Sequence, residues 1–293
     1  MKKKEIGEFL YRFYKKRTAS FLANIYKASI TGESVDIHRA RLDVKKIFAL
    51  YGLFEMLDPA AFNKEGGYKL FRGLFRQAGK IREIQVNYLV LQNYKVTHVS
   101  LDAFIAWLRE EEHRAVLKFM EQVKKFREKE LESTDKKIQK ICNSSSIVKL
   151  RSKTKTYIQF KAAKVYELNT PEPSDRDIHK IRQHLKSIST IATLVYSIKP
   201  GKQLDSIITQ LNKSEMMIGD WHDRVVLKET VERFIVDAKS ISASEQKSLI
   251  NLQQMLIEDN QNLVMHFMPE VTAIVMSILN EDEHQQKEKG LES

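Results

Sequence analysis

Two short stretches decide the fold: residues 36–48 read DIHRARLDVKKIF, and residues 177–189 read DIHKIRQHLKSIS. Both begin with Asp-Ile-His, place an arginine three residues after the histidine, and place a lysine four residues after that arginine. One chain of 293 residues therefore carries the same pattern of cations twice, about half its length apart. This recurrence predicts that each half of the chain presents an equivalent basic face.

A glycine follows each pattern at nearly the same distance. Gly79 stands 41 residues after His38, and Gly219 stands 40 residues after His179. Two matching landmarks at almost constant separation predict an internal duplication with a period near 140 residues, which is too long for a solenoid unit. An acidic residue stands four positions after each glycine, at Glu83 and Asp223.

The composition predicts an all-α protein. Only 10 glycines and 5 prolines interrupt the chain, and 42% of the residues are hydrophobic, which is enough for a packed core. Turn residues predict breaks between helices. These predicted breaks lie at residues 31–32, 58–59, 66–67, 143–146, 170–175, 200–201, 240–244 and 269.

The duplication predicts two helical bundles related by an approximate two-fold axis. The first half spans about residues 1–142, the second about 143–280, and residues 281–293 form a polar tail. Side-chain oxygens commonly cap helix N-termini. We expect Ser34 or Asp36 to cap the helix that carries the first pattern, and Ser174 or Asp175 to cap its counterpart.

Charge is concentrated in the first half. The chain has 49 basic and 38 acidic side chains, a net charge of +11. Residues 1–142 hold 29 basic and 18 acidic groups, so the remaining 20 and 20 cancel in the second half. A concentrated basic field favours an anionic partner such as nucleic acid, acidic lipid or a phosphate polymer.

Cations form stripes along the predicted helices. A helix turns about 100° per residue, so His38, Arg41 and Lys45 share one face, separate from the apolar face that includes Val44 and Ile47. Crowded cations of this kind repel one another unless an anion lies among them, and phosphate accepts hydrogen bonds from both Arg and Lys. The candidate phosphate-binding residues of these stripes are His38, Arg39, Arg41, Lys45 and Lys46; Arg72, Arg76 and Lys80; and His179, Lys180, Arg182 and Lys186.

The paired patterns resemble the signature of the CHAD family, the conserved-histidine α-helical domain. HRARLDVKK and HKIRQHLK are similar to its first motif, His-x-x-Arg followed by further basic residues, and IGDWHD and AGKIRE are similar to its second, Leu-Gly-x-x-x-Asp. The resemblance extends from about residue 5 to 280. Departures from the family pattern are Phe48, Ser187 and Ser189 at positions that are usually basic, and Glu83 in place of aspartate.

The resemblance implies two four-helix bundles about a pseudo-two-fold axis, with a basic groove or pore between them. It also implies binding of inorganic polyphosphate without catalysis. We expect a cytoplasmic protein, and association with polyphosphate granules stays open as one role of that binding. Arg82 matches the basic position before the acid of the second motif and joins the candidate site. We expect no cofactor and no metal.

Nucleic-acid binding and a purely structural or partner-binding scaffold stay open as alternatives. Nucleic-acid binding would be indicated by aromatic side chains interleaved with the basic stripes, or by a helix-turn-helix, and neither pattern is evident. Competition between polyphosphate and RNA would separate these readings. Cys142 is the only cysteine, so no disulfide can form within one chain, which fits a reducing cytoplasm.

Enzymatic and membrane functions are less well supported by the sequence. Di-iron bundles need paired Glu-x-x-His strings with further inward glutamates, whereas Glu110–His113 lies in a charged run and Glu281–His284 lies in the polar tail. Residues 78–80 read AGK, but the rest of a phosphate-binding glycine loop is missing around them. No segment approaches 18 uncharged apolar residues, so we predict no membrane span.

Overall fold

The computed structural model describes residues 3–94, 101–238 and 241–291. Within these ranges the chain forms nine α-helices and no strand, which confirms the all-α prediction. The side chains of the predicted polar tail lie outside the described part of the chain. The helices are α1 (Lys3–Thr31), α2 (Ser34–Leu57), α3 (Lys64–Asn93), α4 (Asp102–Lys125), α5 (Glu128–Ser144), α6 (Ile147–Leu168), α7 (Asp175–Ile198), α8 (Lys202–Asp237) and α9 (Ala243–Leu291).

The same order of neighbours occurs in both halves. Helix α1 packs on α2, α2 on α3, and α3 on α4, while α6 packs on α7, α7 on α8, and α8 on α9. Helix α5 packs mainly against α1. Between the halves, α2 packs against α7 and α3 packs against α8. The two helices that carry the His-x-x-Arg patterns therefore face each other, whereas the internal duplication itself stays a prediction.

The core consists of two clusters of buried side chains. The larger cluster centres on aromatic residues of α1–α3, including Tyr14, Phe54 and Phe71, and extends to Leu227 of α8 and Leu252 of α9. The smaller cluster lies among α6, α7, α8 and α9 and contains Trp221. Because apolar side chains of the second half complete the larger cluster, the two halves share buried surface.

Helix α7 begins as predicted, and α2 does not. The Ser174 hydroxyl accepts a hydrogen bond from the backbone N–H of Asp177 at 3.2 Å, which confirms it as a cap. Glu33 holds the N-cap position of α2, so the prediction of Ser34 or Asp36 is wrong there. The Asp36 carboxylate instead pairs with the Lys27 ammonium of α1 at 3.1 Å.

Two predicted breaks lie inside helices. Residues 66–67 belong to the first turn of α3, where the side chain of Asn63 caps the helix, so the break ends at residue 63. Gly67 packs so closely that a Cβ atom there would lie 2.6 Å from the Tyr51 ring. Pro269 lies within α9, and Met265, four residues before it, is exposed, so water can bind the carbonyl that loses its helical partner. The ends of α3 at Asn93 and of α4 at Lys125 were not predicted.

Helix α9 is the one helix in the described part of the chain that has the length and composition of a candidate membrane span. Its segment Ala243–Asn280 is long and apolar enough to cross a membrane by length and composition, with a mean hydropathy of 1.5 in its most apolar window. A core helix passes the same test, and α9 packs against α6 and α8. The prediction of no membrane span stays a prediction.

Candidate functional site: a basic groove between four helices

A cavity of about 130 Å³ lies where α2, α3, α7 and α8 meet, and we call it the central groove. The four helices that carry the two sequence landmarks in each half therefore supply its walls. The polar residues that line the central groove are His38, Arg41, Lys45, Arg82, Glu83, Arg182, Lys186, His222 and Asp223.

Five of these side chains are cations that have no close anionic partner. In the described part of the chain, none of them has a carboxylate within ion-pair distance, although Glu83 and Asp223 line the same groove. Like charges so close together in a partly buried site raise the free energy of the empty groove. An anion in the groove would remove that cost. The five cations are Arg41, Lys45, Arg82, Arg182 and Lys186.

Arg41 is held in place by the helix opposite. Its Nη1 atom donates a hydrogen bond to the backbone carbonyl of Phe75 at 2.6 Å, and its guanidinium lies 4.5 Å from the centroid of the Phe75 ring. This arrangement needs a glycine at position 79, because a Cβ atom there would lie 2.7 Å from Nη1 of Arg41. The first glycine landmark thus makes room for the first arginine.

Arg182 lies beside the second glycine landmark but is less constrained. A Cβ atom on Gly219 would lie 3.8 Å from Nη2 of Arg182, which is ordinary van der Waals contact. The Nε atom of Arg182 is buried and has no hydrogen-bond partner. A buried donor without a partner costs about 1–3 kcal/mol, so this N–H favours an acceptor supplied by a ligand.

The two lysines of the groove lose part of their charge when it is empty. Burial lowers the pKa of Lys45 to about 6, and Lys186, Arg41 and Arg182 lower it further, opposed by Asp223. Burial and the charge of Arg182 lower the pKa of Lys186 to about 8. At neutral pH, Lys45 is therefore largely neutral until an anion arrives.

The pKa values of three histidines at the groove are also lowered, as those of the two lysines are. Burial lowers the pKa of His38 to about 4, followed by the effects of Arg82 and Lys45. Burial and Arg182 lower the pKa of His222 to about 3. His179 packs against His222 with ring centroids 5.1 Å apart, and burial also lowers its pKa. These imidazoles are neutral hydrogen-bonding groups at pH 7.

Not every candidate from the sequence reaches the groove. Arg39 and Lys180 lie outside it and pair with acids of their own helices, Arg39 with Asp36 at 3.9 Å and Lys180 with Asp177 at 3.0 Å. His179 adjoins the groove through His222. Three further candidates lie on an exposed face of α3 and line neither the groove nor the chamber beside it. These outward residues are Arg72, Arg76 and Lys80.

A second cavity of about 240 Å³ adjoins the groove, and we call it the side chamber. Lys45 and Lys186 line both cavities, and Lys46 lines the chamber. Sequence reasoning did not assign its other polar residues to the site, because Arg17, Asn212 and Glu215 lie outside the repeated patterns and the α7 residues Ser189, Thr190 and Thr193 are uncharged. His222 was also missed, although it directly precedes the acid of the second landmark. The missed chamber residues are Arg17, Ser189, Thr190, Thr193, Asn212 and Glu215.

Metal ligands do not cluster in the described part of the chain. No group of three or more His, Cys, Asp or Glu side chains there is arranged to hold a metal ion. Glu110 and His113, which form a Glu-x-x-His string, are both exposed on α4, and Arg114 lies 4.0 Å from the Glu110 carboxylate.

Comparison with known proteins identifies the architecture. The family model of the CHAD domain matches residues 8–232. A solved structure, the crystal structure of the CHAD domain from the plant Ricinus communis, is similar with a TM-score of 0.71 and 11% sequence identity. The similarity covers 92% of this chain and 91% of the plant chain, and at this identity it shows the fold alone. A search of curated proteins gives no significant match.

Proposed function

Because the chain belongs to the CHAD family, we propose that its central groove binds inorganic polyphosphate or another chain of linked phosphate groups without cleaving it. The CHAD domain is linked to polyphosphate and triphosphate binding. A location on polyphosphate granules in the cytoplasm is part of the same proposal.

One observation carries the proposal: cations from three helices, α2, α3 and α7, line a single cavity and have no carboxylate within ion-pair distance in the described part of the chain. Arginine offers paired hydrogen bonds to phosphate oxygens, and lysine adds a compact charge. Phosphate groups linked in a chain could contact α2 and α7 at once. Binding would release counterions from the chain, so we expect the affinity to fall steeply with salt.

The lining of the groove favours a phosphate chain over nucleic acid. Stacking platforms for bases require exposed aromatic rings beside the cations. Phe75 is an aromatic side chain beside the groove, and the Arg41 guanidinium already covers its ring. A nucleic acid in this groove would therefore find no free aromatic ring on which to stack its bases. RNA competition at equal phosphate concentration tests this alternative.

Binding without cleavage can be tested directly. The purified protein is titrated with long-chain polyphosphate by calorimetry, and the same mixtures are assayed for released orthophosphate, with and without Mg²⁺. We expect saturable binding and no phosphate release above the protein-free control. Release that depends on protein concentration would contradict the non-catalytic part of the proposal.

Gly79→Ala should weaken phosphate-chain binding several-fold while the protein stays folded. Its Cβ atom would lie 2.7 Å from Nη1 of Arg41, so the guanidinium must leave its hydrogen bond to Phe75. Alanine within a helix gains about 0.5–1 kcal/mol, which offsets part of the lost hydrogen bond, so the variant should stay folded and the binding defect is separable from unfolding. Calorimetric titration and thermal melting measure the two effects.

Gly219→Ala is the matched control on the opposite wall. Its Cβ atom would lie 3.8 Å from Arg182, an ordinary contact, so we expect binding to change by less than about twofold. Equal losses in the two variants would mean that the close packing of Arg41 on Gly79 does not matter for binding.

A further inference from the structure

The side chamber is chemically different from the central groove that it adjoins. Helices α1 and α2 supply cations to it, Arg17 and Lys46, while α7 and α8 supply hydroxyl groups, an amide and the Glu215 carboxylate. Lys45 and Lys186 line both cavities, so a chain lying in the groove can extend into the chamber.

Two buried polar atoms in the chamber have no partner, and they are of opposite kinds. The Nε atom of Arg17 is a donor, and the Oε1 atom of Glu215 is an acceptor. The Arg17 guanidinium lies 5.3 Å from the centroid of the Phe13 ring, which limits its movement. Buried polar atoms without partners are rare in native proteins. A ligand that satisfies both atoms must offer an acceptor and a donor.

Two hydroxyl groups of the chamber are also acceptors, so they too favour a ligand that offers a hydrogen-bond donor. Thr190 donates its proton to the backbone carbonyl of Lys186 at 2.9 Å, and Thr193 donates to that of Ser189 at 2.8 Å. Their oxygens therefore present lone pairs, not protons, to other partners. The α7 and α8 wall of the chamber is rich in acceptors, opposite the cations of α1 and α2.

We propose that the side chamber binds the terminal phosphate of a phosphate chain, so that the groove recognises chain ends. This inference rests on the proposed function. An internal phosphate unit has acceptors only and is repelled by the Glu215 carboxylate. A terminal phosphate has a second ionisation at a pKa of about 6, so it can share a proton with Glu215 and still accept hydrogen bonds from Arg17 and Lys46.

Linear and cyclic phosphates provide the test, because a ring has no ends. Calorimetry compares linear tripolyphosphate with cyclic hexametaphosphate, which carries at least as much negative charge. We expect the wild-type protein to prefer the linear form. Glu215→Gln removes the repulsion and should reduce that preference by about tenfold, the effect of one charged hydrogen bond. Glu167→Gln, on the surface of α6, is the control and should preserve the preference.

The outcomes distinguish this inference from the proposed function. If the ring and the linear form bind wild type equally, or if Glu215→Gln leaves the preference unchanged, chain-end recognition is wrong. If Arg182→Ala still weakens both ligands in that case, the groove remains a phosphate-chain site. If neither ligand binds the wild-type protein, both the proposed phosphate-chain binding and chain-end recognition are wrong.

Discussion

Arg182→Ala is expected to weaken polyphosphate binding roughly a hundredfold, or about 2.7 kcal/mol. Arg182 lines the central groove, its Nε atom is buried without a partner, and it has no carboxylate at ion-pair distance in the described part of the chain. Its side chain is thus available for a ligand without first breaking an internal contact. The salt dependence of binding should also become shallower, because one fewer phosphate is neutralised.

Arg76→Ala is the matched control for this prediction. Arg76 is an arginine of the sequence-derived stripe that the fold places on the exposed face of α3. We expect its removal to change the affinity by less than about threefold, as for other exposed charges. Calorimetric titrations at two salt concentrations measure both variants. A loss for Arg76→Ala as large as that for Arg182→Ala would move the binding site to the outer face of α3.

The affinity for polyphosphate should fall about tenfold per pH unit as the pH rises from about 6.5 to 8. In the empty groove the pKa of Lys45 is lowered to about 6, so this lysine is mostly neutral in that range. A bound anion raises its pKa, and binding therefore takes up a proton. Since the unbound form holds fewer protons, higher pH opposes binding. Lys186, with its pKa lowered to about 8, adds to the decline above that pH.

Lys45→Arg is expected to flatten this pH dependence, because a guanidinium stays charged throughout the range. Calorimetry in buffers with different ionisation enthalpies counts the protons taken up on binding. Without ligand, the wild-type free energy of unfolding should change in the opposite sense. The unfolded chain binds the Lys45 proton more tightly, so stability rises with pH above about 6. An affinity that is constant from pH 6.5 to 8 would contradict the burial of an uncompensated lysine.

Much of the fold could be predicted from local patterns. Low glycine and proline content predicted helices, and the breaks at Gly32 and Pro200 lie where the helices end. The prediction failed at Pro269 and at Gly67, where tertiary contacts and solvent exposure outweigh local preference. A glycine or proline in the sequence indicates only the local backbone preference of that residue. Gly67 lies against the Tyr51 ring, a contact between residues that are distant in sequence.

The candidate site, like the fold, could be predicted from the sequence only in part. Helical periodicity placed Arg41 and Lys45 on one face, and the fold brings both into the central groove. The same periodicity could not decide which polar face of α3 points inward, so it selected Arg76 on the exposed face, whereas Arg82 entered the candidate site only through the family resemblance. Arg17 and Glu215 belong to no repeated pattern, and they meet only because α1 and α8 converge beside the groove. Such convergence depends on packing between helices.

The most direct test of the account is a titration of the purified protein with long-chain polyphosphate at several salt concentrations. It is run beside the triple variant His38/Arg41/Lys45→Ala and with an RNA competitor. The account predicts tight binding that falls steeply with salt, resists RNA and is lost in the variant. Binding that RNA displaces at equal phosphate concentration, or that persists in the variant, would contradict it and leave the groove cations as an ordinary basic surface.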